Sequence, residues 1–567
     1  MTIKFSTTFL YAVVASAISV PAYADFDKAL SDYKKGDYKT AFNEFLDTGM
    51  QGDARAQAVL GQMYSDGEGT PQNSQEALNW FLKSAAQGNA DAQTHLGLMY
   101  AQGYGVPQSN QKGFEWLRKA AEQGNADAEY NIGLMYSQGL GVSQNFEEAV
   151  NWFRKAAGQG NAGAQYSLAL MFTNGSGVLQ DYQEAASWYR KAAEQGYADA
   201  QTNLGNLYQN GRGVSQNYQE ALNWYRKAAE QGSAIAENNI GSMYYDGQGV
   251  SQNYQEALNW LRKAAEKGNA EAERNIGSMY RNGQGVPQNY REAVDWLQKA
   301  AGQAQVNAQN SLGQLYFYGQ GVPRNYNEAL SWFRKAAGQG DADAEKNLGI
   351  MYRDGNGVPQ NYEEALRWFR KAAGQGSAAA QFCLGEMFDH GSGVPQNYPE
   401  AANWYRQAAE QGDADAQTNL AILYDDGRGV PQNYQEAANW YRQAAEQGDA
   451  LAQSNLGFMY LKGQGVPEND SVAVLWFRKA AEQGHGVAQY DLGVLYNSGQ
   501  AVRQDKVIAY TLFNLASATG DESAIHSKSQ LANELTTAQV EEGQTLSSAW
   551  NVGTPLPTKS RTWRARR

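Results

Sequence analysis

Tryptophan recurs every 36 residues along most of this 567-residue chain. Trp80, Trp116, Trp152, Trp188, Trp224, Trp260, Trp296, Trp332, Trp368, Trp404, Trp440 and Trp476 stand on one arithmetic progression, with no insertion or deletion between them. Self-similarity at a fixed period of about 20–50 residues is the mark of a repeat architecture. A unit of this size cannot bury its own apolar face and must stack on its neighbours. The spacing therefore predicts a solenoid, and it directs the search for function to surfaces rather than to one enclosed pocket.

One unit runs from Ala198 to Gly232. Ala200, Leu204 and Tyr208, at i, i+4 and i+8, line one face of a first helix, A. Ala221, Trp224, Tyr225, Ala228 and Ala229 do the same for a second helix, B. Gly205 lies inside helix A and recurs in register from Gly61 to Gly493, with Ala169 and Ala421 in its place in two units. A glycine inside a helix costs about 1 kcal/mol relative to alanine, so its recurrence implies helices too close for a larger side chain. Asn217, with Glu220 three residues on, reads as a reciprocal capping box opening helix B. The pair recurs as Asn253/Glu256, Asn289/Glu292, Asn361/Glu364 and Asn433/Glu436. Gly232 closes helix B in the left-handed position. Between the helices, Gly211 and Gly213 permit positive φ, and Val214 can plug the gap between neighbouring hairpins. Arg226/Glu230 and Arg262/Glu266 stand at i, i+4, worth about 0.2–0.5 kcal/mol a pair; these read as a solvated ladder.

The full pattern, A-x-A-Q-x-x-L-G-x-M-Y-x-x-G-x-G-V-x-Q-N/D-Y-x-E-A-x-x-W-F/Y-R-K-A-A-x-Q-G, resembles the Sel-one-like repeat (SLR), a relative of the tetratricopeptide repeat. The resemblance covers about nine tenths of the chain, through thirteen helix-A anchors. It implies an all-α fold, a right-handed α/α superhelical solenoid of about 14 helix–turn–helix repeats. It also implies an adaptor in protein complexes, and bacterial members of the family are often exported. The matching residues are scaffold, so the resemblance speaks to fold far more than to biochemistry.

The ends depart from the pattern, as a solenoid's capping units do. Residues 1–24 have the form of a secretory leader: Lys4, an apolar stretch from Phe9 to Val20, then Ala22-Tyr23-Ala24 before a cleavage point at Asp25. The apolar run is short for a membrane span, which takes about 20 residues, so no transmembrane segment is expected after cleavage. The solenoid occupies 25–520, opening with a tetratricopeptide-like cap at 25–52, where Gly36-Asp37-Tyr38 makes a shortened loop. Near the other end Leu512 replaces the tryptophan and Ala501 the second loop glycine. Closing helices follow at 521–550, and a basic tail at 551–567 reads as disordered. The expected location is periplasmic or secreted.

The formal charge of −13 becomes −19 on the body once Lys4 and the tail cations Lys559, Arg561, Arg564, Arg566 and Arg567 are set aside. An acidic body argues against a nucleic-acid partner, which calls for a basic stripe. The single cysteine, Cys383, leaves no disulfide framework. Some exported relatives are cysteine-rich, and a hydrolase activity claimed for them transfers poorly here. His95, His390, His485 and His526 are far apart and show no metal-ligand spacing, and no nucleophile elbow, zincin, C-x-x-C or phosphate-loop motif is present. The reading is of a non-catalytic scaffold with no cofactor and no metal. The alternative is a cell-envelope factor that binds or acts on peptidoglycan.

If function is binding, it should lie where units differ. By analogy with tetratricopeptide superhelices, the outward positions of helix A are three before the mid-helix glycine and one, four and five after it. Near the N-terminus these columns hold Thr94, Leu98, Ala101, Gln102, Tyr130, Leu134 and Ser137. In the middle they become Tyr245, Arg274, Arg281, Phe317, Tyr318, Lys346, Arg353 and Phe382, and further on Glu386, Asp389, Ile422, Asp425, Asp426, Phe458 and Leu461. Arginine and aromatic residues are the types enriched at binding hot spots. The middle set is therefore the candidate groove for a protein or peptide partner, an acidic segment being the favoured ligand.

Overall fold

The computed structural model describes residues 23–560, so residues 1–22 of the leader and the last seven residues lie outside it. Among the described residues all regular structure is α-helical, in thirty helices. The chain forms two compact units, one ending at Gln288 and one beginning at Asn289. Within each unit, every A helix packs on the B helix that follows it, and every B helix on the next A helix, in strict serial order.

The local reasons for this architecture repeat with the sequence. In the Ala198–Asn210 helix, Ala200, Leu204 and Leu207 are buried with Ala185, Ala186, Tyr189, Ala192 and Ala193 of the preceding Tyr182–Glu194 helix, and Ala221, Leu222, Tyr225 and Ala228 of the Tyr218–Glu230 helix are buried in turn with Ala236, Ile240 and Met243 of the next A helix. The mid-helix glycine does mark close approach: a Cβ on Gly205 would stand 2.5 Å from Cε1 of Tyr225. Gly211 caps helix A at φ 65°, its amide donating to the Leu207 carbonyl. The second loop glycine answers to the neighbouring repeat, because a Cβ on Gly213 would lie 2.1 Å from the carbonyl oxygen of Tyr182. Val214 packs against the core between hairpins. Asn217 accepts from the amides of Gln219 and Glu220 at 3.1 Å each, so half of the expected capping box is present. The reciprocal half is absent, because the Asn217 amide already donates to the Tyr208 carbonyl at 2.9 Å. The glutamate is free for other work; Glu256, for instance, accepts from the Trp260 indole at 2.9 Å.

Neighbouring repeats are joined by a buried amide ladder. Gln231 Nε2 donates to Gln201 Oε1 at 2.8 Å, and Gln201 Nε2 donates to the Ala193 carbonyl of the preceding B helix at 3.0 Å. The same rung appears at Gln123/Gln93, Gln339/Gln309 and Gln447/Gln417. One rung is exchanged for an ion pair, with Lys267 Nζ 2.8 Å from Glu237 Oε1. A net hydrogen bond contributes about 0.5–1.5 kcal/mol, but stripping a partner from a buried polar group costs about 1–3 kcal/mol. These rungs therefore fix the register between repeats. On the B helices each repeating lysine covers the repeating indole, as Lys227 does at 4.0 Å from the Trp224 centroid. The expected Arg226/Glu230 and Arg262/Glu266 pairs are replaced by bonds to the next repeat: Arg226 donates to the Tyr244 hydroxyl at 3.3 Å and Arg262 to that of Tyr280 at 3.0 Å.

At the N-terminal end the hairpin of Tyr23–Lys34 and Tyr38–Met50 buries Phe26 and Phe45, and the expected cleavage point before Asp25 falls in its first turn. At the other end the helices Glu522–Glu534 and Thr537–Ala549 follow the last repeat. The segment after them differs from the disordered tail read from composition. Leu556 is buried, its amide donates to Glu482 Oε1 at 3.0 Å, and Arg478 donates to its carbonyl at 3.3 Å. Ser560 then donates to Asp505 Oδ2 at 3.0 Å. One apolar side chain and a few backbone donors suffice to hold 551–560 to the final repeats.

Candidate functional site

The helix-A columns are not equally open. The position three before the mid-helix glycine is largely a seam between repeats. Thr94 is buried and donates to the Asn125 side chain of the next repeat at 3.2 Å, while Asn275 and Asn347 reach back to Asn238 and Asn310 at 3.0 and 2.9 Å. Leu98, Ala101 and Leu134 are buried as well. The outward placement expected for these residues therefore fails in the first repeats, where small and aliphatic side chains let the neighbouring helix close over them. The fifth position after the glycine is open in every repeat, the fourth is half-buried or, at Ala101, buried, and the first opens at Phe458 and Val494.

The middle residues are divided by the two units. In the first unit, Tyr245 donates to Gln284 Oε1 at 2.6 Å and sets its ring edge-on to Tyr254. Arg274 donates to Glu271 Oε1 at 2.5 Å and to Asn275 Oδ1 at 2.7 Å. Arg281 is half-buried at the end of the same helix, its carbonyl accepting from Gln288 at 2.8 Å. In the second unit, Phe317 and Tyr318 meet edge to face with centroids 5.0 Å apart, and Phe317 also abuts Tyr326. Tyr318 is 66% exposed, a large aromatic presented to solvent. Lys346 is half-buried. Arg353 binds Asp354 at 2.7 Å and reaches Glu386 of the next repeat at 3.5 Å. Phe382 leans on Tyr405 with centroids 5.9 Å apart. Two of the expected carboxylate-gripping cations, Arg274 and Arg353, thus already hold carboxylates of this chain, and an acidic ligand would have to exchange with them. Sequence spacing missed this because Glu271 lies outside the compared columns, and Asp354 and Glu386 stand in columns other than that of Arg353, the cation they meet.

The residues that most suggest chemistry share one buried to half-buried column, two before the mid-helix glycine, where seven repeats carry asparagine, from Asn131 to Asn455. His95 is there, stacked on Phe81 with centroids 4.8 Å apart, and burial lowers its pKa to about 4. Cys383 is there, buried, its thiol pushed up to about 11 by the same loss of solvation. Asp491 is there, its carboxyl raised to about 6 by burial and then by the charge of Asp521. The environments favour neutral imidazole and neutral thiol near pH 7. Among the described residues no group of three or more His, Cys, Asp or Glu is placed to hold a metal ion, and no helix is long and apolar enough to cross a membrane.

Serial helical hairpins with a buried periodic seam and variable outward positions define a tandem-repeat protein of the helical-hairpin class. The Sel1 repeat model matches thirteen consecutive windows from residue 54 to residue 521, broken only where the window 270–304 stops short of Gln305. The chain belongs to the Sel1 repeat family. It is similar to a solved protective antigen of uropathogenic Escherichia coli that displays an SLR fold, at 38% identity over 77% of this chain and 94% of that one, with a TM-score of 0.59. A Sel1 repeat protein from Oxalobacter formigenes matches at 31% identity over 60% of this chain and 98% of its own, with a TM-score of 0.44. Comparison with curated protein sequences gives no match.

Proposed function

We propose that the chain is an exported, non-catalytic scaffold whose helix-A faces bind protein or peptide partners. In the second unit the site is built from Phe317, Tyr318, Lys346, Arg353 and Phe382, and in the first from Tyr245, Arg274 and Arg281. The carrying observation is Tyr318, 66% exposed on a face whose other repeats put a small, polar or charged residue at that position. An exposed tyrosine backed by Phe317 supplies rigid contact area at small entropic cost. On the A helix of the next repeat, Lys346 and the shared Arg353 favour a carboxylate-bearing segment. Sel1 repeat scaffolds typically mediate protein–protein contacts, and the leader-like sequence 1–24 supports export.

The test is in vivo crosslinking of residues 25–567, comparing the parent with Tyr318→Ser and Lys346→Glu. A partner enriched by the parent and lost from both variants, with helical circular dichroism unchanged, is the expected result. Undiminished capture by both variants would remove this site, and capture of nothing specific by the parent would overturn the scaffold reading.

A further inference from the structure

The last two regular repeats each expose two apolar side chains on the helix-A face, whereas among the other repeats the same two positions yield a single exposed large apolar residue, Ile235. On the Ala450–Lys462 helix, Leu451 and Phe458 are 40% and 45% exposed; on the Gly486–Ser498 helix, Val487 and Val494 are 52% and 39% exposed. Within each helix the two residues stand at i, i+7, and so on one face. The place of Leu451 is taken by aspartate in five earlier repeats, as at Asp91 and Asp415. The place of Phe458 is taken by Leu98 and Leu134 in repeats where the neighbour covers them. Four exposed apolar residues clustered in two adjacent repeats mark an interaction surface.

Charge identifies what it takes. The two repeats just before, residues 378–449, hold eleven carboxylates against three arginines, a net −8 out of the −13 of the whole chain. Arg406 and Arg442 point to tyrosine hydroxyls of the following repeats, and of the three only Arg428 holds a carboxylate of this set, Asp426, at 2.7 Å. The Arg353–Glu386 contact shows the register between A helices: the residue after the mid-helix glycine meets the fourth-after residue of the preceding helix. By that register Phe458 stands beside Asp425, and Val494 beside Leu461. Burial and the charge of Asp426 raise the Asp425 carboxyl, and burial with Asp413 and Asp449 raises that of Asp415. Arg428 on Asp426 and Arg353 on Glu386 offset only part of this charge, and an incoming cation would relieve the remainder.

We propose that the helix-A face formed by Leu451, Phe458, Val487 and Val494 is a second docking surface. Its occupant is a polypeptide segment carrying arginine or lysine beside aliphatic or aromatic side chains. The apolar residues seat in the exposed face and the cations reach the aspartates next to it. Its polarity is opposite to that of the Lys346–Arg353 site, so the two surfaces select different segments and one scaffold can hold two partners at once.

Fluorescence anisotropy on the full chain, with short labelled synthetic peptides, tests this. The probe alternates arginine with leucine and tryptophan; one control has glutamate for each arginine and another has serine for each leucine and tryptophan. The probe should bind and both controls should not. Phe458→Ser/Val494→Ser should weaken it about tenfold or more, Asp425→Asn/Asp426→Asn should weaken it and flatten its salt dependence, and Tyr318→Ser should leave it unchanged. The proposal is overturned if the arginine–serine control binds as well as the probe, if the Phe458/Val494 variant binds undiminished, or if the probe does not bind. Circular dichroism of each variant separates loss of binding from loss of fold.

Discussion

Replacing Asp491 with asparagine should stabilise the C-terminal repeats at neutral pH and leave them unchanged in acid. The position is one that other repeats fill with asparagine, as at Asn347, Asn419 and Asn455. Its carboxyl has an ordinary pKa of 3.8 and a folded value of about 6, raised by burial first and by Asp521 second. Between these values the native chain keeps a proton that the unfolded chain has released, so stability falls as pH rises through this window and stays low above it. At about 1.4 kcal/mol per pKa unit the full penalty is about 3 kcal/mol, and partial exposure of the side chain brings the expected gain to about 1–3 kcal/mol. Asparagine cannot ionise and has nearly the same shape. Hydrogen–deuterium exchange over the Gly486–Ser498 and Lys506–Ser517 helices reads the local effect, parent and variant side by side. Protection should rise in the variant above about pH 7 and match the parent below about pH 4. A difference that does not change with pH, or a loss of protection above neutrality, would refute the assignment of this penalty to Asp491.

Two departures within the repeat, at Ala304 and at the Lys267–Glu237 rung, carry the remaining predictions. Ala304 holds φ 62° at a turn that glycine fills elsewhere, and at the equivalent Gly340 an added Cβ meets nothing within 4 Å, so only backbone strain is at stake. A left-handed non-glycine residue costs about 1–2 kcal/mol, offset by about 0.4–1 kcal/mol from glycine's freer unfolded chain. Ala304→Gly should therefore raise local stability by about 0.5–1 kcal/mol, read as exchange protection of the Val306–Tyr318 helix, and Gly340→Ala should do the reverse. Lys267→Ala strands the buried Glu237 carboxylate and should cost about 1–3 kcal/mol in urea unfolding. The double change Lys267→Gln/Glu237→Gln restores the ordinary amide rung and should recover most of that loss; failure to recover it would show that the rung is not interchangeable.

Much of the fold was legible because periodicity reports burial directly. The tryptophan period set the number and spacing of the hairpins, and the recurring glycine announced the contact that Tyr225 makes over Gly205. Polar periodicity is ambiguous in the same measure. Gln201 and Gln231 repeat as regularly as any core residue, yet a repeating glutamine reads equally as surface, and only the partner thirty positions away shows that it is a rung. The capping box was half right for a similar reason. Asn217 was legible as a cap, but the carbonyl that consumes its amide, on Tyr208, belongs to the end of another helix. At the candidate site the residue types were legible and their pairing was not: Arg353 looks available in sequence, and in the fold it sits between Asp354 and Glu386.

Residues that hold such an array together must recur at its period, so function has to be sought in residues that break the period. Breaks differ in kind, however. His95, Cys383 and Asp491 are the most chemically suggestive, yet they share a seam position, buried or half-buried, where desolvation favours the neutral imidazole and thiol and raises the carboxyl's pKa. Their departures act on stability and on its pH dependence. The breaks at Tyr318, Phe458 and Val494 lie where neighbouring helices leave them 66%, 45% and 39% exposed. Those residues keep large apolar surface in water, a cost that binding would offset. Selection acting on a scaffold of this kind can therefore alter a partner preference by one substitution after the mid-helix glycine without disturbing the amide rungs and glycine contacts that hold the repeats in register.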